Sequence, residues 1–301
     1  MSRPASPPPA GQQLRARLAD GQTVLMPGVW DPLSALLARG AGFSTVFLSG
    51  YCVSGAYLGV PDIGLLTQTE MAEVARRVCR AVPELAVVVD ADTGYGDPSN
   101  TIRTVELWEE AGAAGLFLED QRWPKRCGHL DGKEVVPRDE WLAKLRAAIA
   151  HRDALHVTAR TDARAPLGLD EAIERARMAA DLGVDAVFVE APRSIPELER
   201  IASALAGTVL VANMVEGGKT PLLTPDELHE LGFDLIVSPL TGLFSTVRAL
   251  RDTFERLAGA GTLRDDLGRL ATFDEFTALV ELDRWQRAGD PAHGDGAPAG
   301  P

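Results

Sequence analysis

The feature that most restricts this chain is an alternation of short apolar runs and amphipathic stretches, repeated eight times. Strand candidates fall at residues 24–30, 45–50, 86–92, 115–120, 155–162, 186–191, 208–214 and 235–240. Helical patterns follow them at roughly 32–40, 68–81, 99–111, 138–150, 169–182, 195–205, 225–231 and 243–257. Buried parallel strands read as near-continuous Val, Ile and Leu runs. Eightfold strand-helix alternation is the sequence form of a (β/α)8 TIM barrel in the α/β class. Thr67 before Gln68-Thr69-Glu70 and Thr224 before Pro225-Asp226-Glu227 read as helix caps. A doubly wound dinucleotide-binding sheet is the competing arrangement, but no Gly-rich fingerprint follows the first strand.

The sequence divides into an N-terminal extension at residues 1–20, partly disordered, and a barrel at 21–260. A helical segment at 261–287 and a disordered tail at 288–301 follow. Phe273, Phe276, Leu279, Val280 and Trp285 give the helical segment an apolar face that a neighbouring subunit could bury.

The net charge is -13, from 30 basic and 43 acidic residues. That argues against a nucleic-acid partner or an anionic membrane, both of which favour basic patches. No apolar run approaches the roughly 18 residues that span a bilayer. Residues 1–10 lack the apolar core of a signal peptide. Cys52, Cys79 and Cys127 are too few and too scattered for a disulfide scaffold, so a cytoplasmic, reducing location is expected.

Within the strand candidates, five short apolar runs end on a residue that can bind a metal or an anion: Asp90, Glu119, Arg160, Glu190 and Asn213. A barrel delivers all such ends to one face, where catalysis sits. Asp90 and Asp92, at i and i+2 of a strand, are expected to share a face and aim at one cation. Oxygen ligands suit Mg2+, which keeps waters or takes substrate oxygens. Glu119 and Glu190 could complete the shell directly or through water. Asp62 in the loop after the second strand could bind a metal-bound water or cap a turn. Arg160 is a natural carboxylate clamp, or else a structural partner of Asp162 or Glu190. Asn213 could bond a carboxylate or enolate oxygen. Ser49-Gly50-Tyr51 can offer backbone N–H groups to an anion.

After the fourth strand, Lys125-Arg126-Cys127-Gly128-His129 joins cations, a thiol and an imidazole in a loop with Pro and Gly breakers. The flanking Lys125, Arg126 and His129 are expected to lower the Cys127 pKa, so that the thiol exchanges a proton near neutral pH. The loop position suits a mobile gate. Cys79 lies on an apolar helical pattern and reads as core. His151, His156 and His229 read as structural.

These segments resemble the isocitrate lyase/phosphoenolpyruvate mutase superfamily. The resemblance rests on Ser49-Gly50-Tyr51, residues 58–64, Asp90-Ala91-Asp92-Thr93-Gly94-Tyr95-Gly96, Glu119-Asp120-Gln121, Pro124-Lys125-Arg126-Cys127-Gly128-His129, Ala159-Arg160-Thr161-Asp162-Ala163 and residues 213–220. It covers about residues 20–285 and looks nearest to the petal death protein and 2,3-dimethylmalate lyase group, then to methylisocitrate lyases. Carboxyphosphonoenolpyruvate phosphonomutases are also similar.

The resemblance implies a carbon–carbon lyase acting on a small carboxylate. It implies Mg2+ (or Mn2+) near Asp90, with Asp62, Asp92 and Glu119 acting largely through waters. Ser49, Gly50, Tyr51, Gly128, Arg160, Glu190 and Asn213 would contact substrate. Lys125, Cys127 and His129 would act from a gating loop, Cys127 as the proton donor. A homotetramer of paired dimers with a swapped C-terminal helix is also implied. Pro239 stands where relatives that hydrolyse oxaloacetate carry a hydroxyl residue, which favours a lyase over a hydrolase. A phosphonomutase and a non-catalytic ligand-binding barrel are the rival readings.

Overall fold

The computed structural model describes residues 9–130 and 132–289. The remaining parts of the expected disordered ends, 1–8 and 290–301, lie outside the described residues. Eight strands close into one barrel in sequence order, every neighbouring pair parallel. They are β1 (Val24–Val29), β2 (Thr45–Leu48), β3 (Ala86–Asp90), β4 (Gly115–Glu119), β5 (His156–Thr161), β6 (Ala186–Val189), β7 (Leu210–Asn213) and β8 (Leu235–Ser238).

Several strands stop one or two residues before the expected end, and the reason lies in the backbone. Asp92 and Ala191 take φ values of 44° and 57°. Non-glycine residues rarely adopt this left-handed region, and here it turns the chain out of β3 and β6 toward the mouth of the barrel. Asp90 and Asp92 therefore do not share a strand face, contrary to the i and i+2 expectation.

The core has two shells. Between strands and outer helices, Trp108, Trp141, Leu116, Leu118 and Leu145 are almost wholly buried. Inside the barrel, Phe47, Phe117 and Phe188 stack as a layer, with ring centroids 4.9 and 5.8 Å apart. Beyond its N-terminal end, the helix Ala10–Ala19 adds Leu14 and Leu18 to this inner cluster. Its Arg15 donates to the Ala154 carbonyl at 2.9 Å and to Asp185 at 2.7 Å. Gly11 fits there because a Cβ would lie 2.1 Å from the Ala154 carbonyl oxygen. With one end plugged, the opposite end is left for chemistry.

The Thr67 and Thr224 capping boxes form as the sequence predicts. After β2, Ser49 caps a short helix, Gly50–Val53, that runs into the π-turn Ser54–Leu58. By internal contacts the chain forms two units, divided between Ser245 and Thr246, within the helix Thr241–Ala260. The second unit contains the helices Phe273–Leu279 and Leu282–Gly289. Its Phe254, Phe273, Phe276 and Trp285 side chains are exposed. Among the described residues, no helix is long and apolar enough to cross a membrane.

Candidate active site

A small cavity of about 50 Å3 sits above the phenylalanine layer, at the C-terminal ends of the strands. Eight residues singled out in the sequence line it: Ser49, Tyr51, Asp62, Asp90, Gly128, Arg160, Glu190 and Asn213. Tyr51, Pro239 and Leu240 supply apolar surface, so the wall is charged on one side and apolar on the other. A larger cleft near Thr93 and Trp123 lacks this convergence of charge.

The other expected residues stand one contact behind the wall. Gly50 N–H donates to Asp90 Oδ2 at 3.3 Å, and Asp92 N–H donates to Asp90 Oδ1 at 3.1 Å. A Cβ on Gly50 would lie 3.0 Å from Asp90 Oδ2, so the carboxylate approaches the bare backbone closely. The Gly50 N–H is thus spent on Asp90 and is not offered to an anion.

Lys125 is buried between two carboxylates, with Nζ 2.5 Å from Asp62 Oδ1 and 2.6 Å from Asp92 Oδ1. Burial pulls its pKa down, but Asp92 and Asp62 outweigh it, and the ammonium is held well above the usual lysine range. Burial pushes the Asp92 carboxyl up, against the pull of Lys125.

Register places Glu119 of β4 beside Arg160 of β5. Arg160 Nη2 lies 3.4 Å from Glu119 Oε2 and 3.2 Å from Glu190 Oε2. Its Nε and Nη2 donate to the two oxygens of Asp162 at 2.9 and 3.2 Å, and its guanidinium covers the Phe188 ring at 5.5 Å. The structural pairing with Asp162 and Glu190 therefore exists, and Arg160 lines the cavity as well. Burial pulls the Arg160 pKa down, but Asp162, Glu119 and Glu190 more than compensate. Glu190 also accepts from Asn213 Nδ2 at 3.2 Å and faces His129 Nε2 at 3.3 Å. Although burial opposes it, Arg160 and His129 hold the Glu190 carboxyl down at about 2. His129 Nδ1 accepts from the Lys219 N–H at 3.0 Å, which leaves Nε2 as the protonated nitrogen facing Glu190.

One expectation is corrected here. The cations beside Cys127 in sequence do not lower its pKa. Lys125 is committed to Asp62 and Asp92, and burial pushes the thiol up to about 11, with Asp62 and Glu190 adding to the rise. Cys127 is a neutral acid, not a thiolate. Among the described residues, no three His, Cys, Asp or Glu side chains converge to hold an ion unaided, so a cation here would rely on waters or substrate oxygens.

The residues still fit a cation that keeps most of its waters. Glu119 Oε1 and Asn213 Oδ1 are buried without a hydrogen-bond partner among the described residues. Burial pushes the Glu119 carboxyl well above its ordinary range, against Arg160. Such orphaned oxygens are costly unless something arrives to satisfy them. Asp90, in the cavity wall, supplies a carboxylate nearby.

Sequence reading missed the residues beneath the clamp. Asp162 N–H donates to Asp120 Oδ1 at 2.8 Å, and Asp120 Oδ2 accepts from Thr161 Oγ1 at 2.6 Å and from Arg175 at 3.0 Å. Lys133 lies 3.2 Å from Asp162 Oδ1. Asp120 and Arg175 each sit in an ordinary-looking context, and only the fold brings them together.

Residues 14–258 match the phosphoenolpyruvate phosphomutase family. The chain belongs to that family. Petal death protein of Dianthus caryophyllus is 51% identical over 87% of this chain and 83% of its own. The chloroplastic carboxyvinyl-carboxyphosphonate phosphorylmutase of Arabidopsis thaliana is also 51% identical, over 87% of this chain and 78% of its own. The 2,3-dimethylmalate lyase of Eubacterium barkeri is 39% identical over 90% of this chain and 94% of its own. Among solved structures, a 2,3-dimethylmalate lyase of the PEP mutase/isocitrate lyase superfamily superposes with a TM-score of 0.91 at 34% identity. That match covers 97% of this chain and all of the other. A phosphonopyruvate hydrolase complexed with oxalate and Mg2+ gives a TM-score of 0.83 at 29% identity, covering 93% of this chain and 97% of the other.

Proposed function

We propose that this member of the family is a Mg2+-dependent carbon–carbon lyase. Its substrate is a 2-hydroxy di- or tricarboxylate of the 2-alkylmalate or 2-methylisocitrate type. Its products are a 2-oxo acid such as pyruvate and a simpler carboxylate. The observation that carries the reading is the neutral, half-buried thiol of Cys127 beside a cavity that combines Asp90, Arg160 and an apolar wall.

The chemistry follows from those groups. Transfer of the 2-hydroxyl proton to a carboxylate of the cavity wall lets the oxygen pair form the new carbonyl as the C2–C3 bond breaks, and its electron pair moves onto C3. A proton must then reach that carbon, and Cys127 is an acid of the right kind. Arg160 grips the carboxylate next to C2, since its planar fork matches two oxygens. Glu190, His129 and Asn213 hold that side of the pocket. Mg2+ (or Mn2+), held near Asp90 with Asp62, Asp92 and Glu119 acting largely through waters, would supply positive charge where negative charge develops. Residues 123–130 act as the gate, because Gly128 of this loop lines a cavity with little room for a diacid, and a shift of the loop would enlarge it.

Ser238 Oγ bonds Thr241 at 2.6 Å, and Pro239 lines the cavity in its place. This supports cleavage over hydrolysis of oxaloacetate. The phosphonomutase reading remains as the second, favoured by the identity to the Arabidopsis phosphorylmutase. Exposed aromatic side chains in the C-terminal unit support assembly as a homotetramer. Free thiols throughout suit a cytoplasmic location.

The test is pyruvate release with Mg2+ from 2-methylmalate, 2,3-dimethylmalate, 2-methylisocitrate and oxaloacetate. Turnover of an alkylated acid is expected. Silence on all three alkylated acids, with a phosphonate signal by phosphorus NMR from a carboxyphosphonate precursor, selects the mutase.

A further inference from the structure

We propose that Lys133 is a positioning residue, a latch that fastens the Cys127 loop shut by joining the Gly128 carbonyl to the carboxylate that holds Arg160. The inference rests on the reading of residues 123–130 as a gate.

Lys133 is 6% exposed. Its ammonium donates to the Gly128 carbonyl oxygen and lies 3.2 Å from Asp162 Oδ1. Asp162 does not move with the loop. Its own N–H is bonded to Asp120, and Asp120 is fixed from Thr161 and Arg175. One end of the latch is thus the barrel, and the other is a loop residue that lines the cavity. Gly128 itself can contribute only backbone, because a Cβ would come within 2.6 Å of both Arg160 Nη2 and Glu190 Cδ. An outside donor must therefore hold it down.

A buried ammonium is costly unless it is paired. The choice of a cation makes sense if the pair has to break and reform. Lysine is strongly hydrated in water, so an opened loop leaves Lys133 in a favourable state, which a buried apolar side chain would not enjoy. Asp162 also divides its charge between Lys133 and Arg160. A carboxylate arriving at Arg160 draws on the guanidinium and leaves Asp162 to hold Lys133 more tightly. Substrate binding and closure are coupled through that shared carboxylate.

The experiment measures alkylation of Cys127 by iodoacetamide, resolved by peptide mass spectrometry. Cys52 and Cys79 are buried and serve as internal references. Lys133→Met should react at least about tenfold faster at Cys127 than the parent, by raising the population of open loop. The two reference cysteines should be unaffected. Lys133→Arg should restore at least half of the protection on a logarithmic scale. Asp162 keeps Arg160 as a partner in these variants, so no naked charge is buried; Lys133→Gln serves as a second charge-free variant if the Met form misfolds. Equal alkylation of parent and Lys133→Met, or of Lys133→Gln where that replaces it, overturns the latch, as does an Arg form as exposed as the Met form. None of these readings needs turnover. Faster alkylation together with no lyase activity on any diacid would keep the latch and sink the proposed reaction.

Discussion

The Lys125 ammonium and the Asp92 carboxylate meet at 2.6 Å with almost no exposure on either side. Asp62 closes on the same ammonium from the loop after the second strand. A cation at this point binds the gate to both acidic loops. Lys125→Met is expected to destabilise the protein by about 3–5 kcal/mol, because two buried carboxylates lose their partner. Adding Asp62→Asn should return part of that loss. Urea denaturation of the two single variants and the double variant gives the coupling, and strict additivity would mean that the pair is not energetically joined.

Gly128→Ala should leave melting close to the parent and lower kcat/KM by about a hundredfold, since the added methyl stops the loop from seating against Arg160 and Glu190. Steady-state kinetics beside a melting curve checks this. A fully active variant would show that closure does not require the bare glycine.

Cys127→Ser is expected to cut turnover by orders of magnitude while Mg2+ affinity, read by isothermal titration, stays near the parent value. The pH profile carries the same information. With the thiol raised to about 11, its acidic form persists through alkaline buffers, so turnover should lose nothing to thiolate formation until the pH nears that value. A fall centred near pH 8 would point to a different acid.

Removing the cation with EDTA should abolish turnover, and excess Mg2+ should restore it. Asp90→Ala should abolish the restorable activity. Full activity in EDTA would refute the metal role.

His156 gives a stability test away from the site. Burial lowers its pKa to about 4, with Arg15 and Arg152 helping and Asp185 opposing. The neutral ring's stabilising contribution is complete above the unfolded pKa near 6.5 and is lost as pH falls toward 4. The span corresponds to roughly 3 kcal/mol. His156→Gln should therefore show a flatter loss of melting temperature between pH 7 and 4.5. Parallel curves for both proteins would remove His156 from the acid response.

The barrel was legible because its signal is repeated. Eight apolar runs, each followed by a helical pattern, leave few other folds, and the polar residues ending five of them mark the mouth. What the pattern could not show was set by single backbone turns and distant partners. The left-handed turn at Asp92 cuts short a strand that the pairing with Asp90 suggested. The helix Ala10–Ala19 carries only Leu14 and Leu18 as buried apolar side chains, too few to give a clear period. Local sequence placed cations around Cys127, whereas the fold turns Lys125 toward Asp62 and Asp92 and lets burial decide the thiol. Lys133 gave no signal at all, since its worth depends on Asp162, twenty-nine residues away.

A chamber of about 50 Å3 has room for only a few waters. A malate-sized molecule needs more room than that, so each cycle needs one movement of the Cys127 loop to admit the acid and another to discharge both fragments. Thickening the solvent with sucrose would then slow a fast substrate more than a sluggish one.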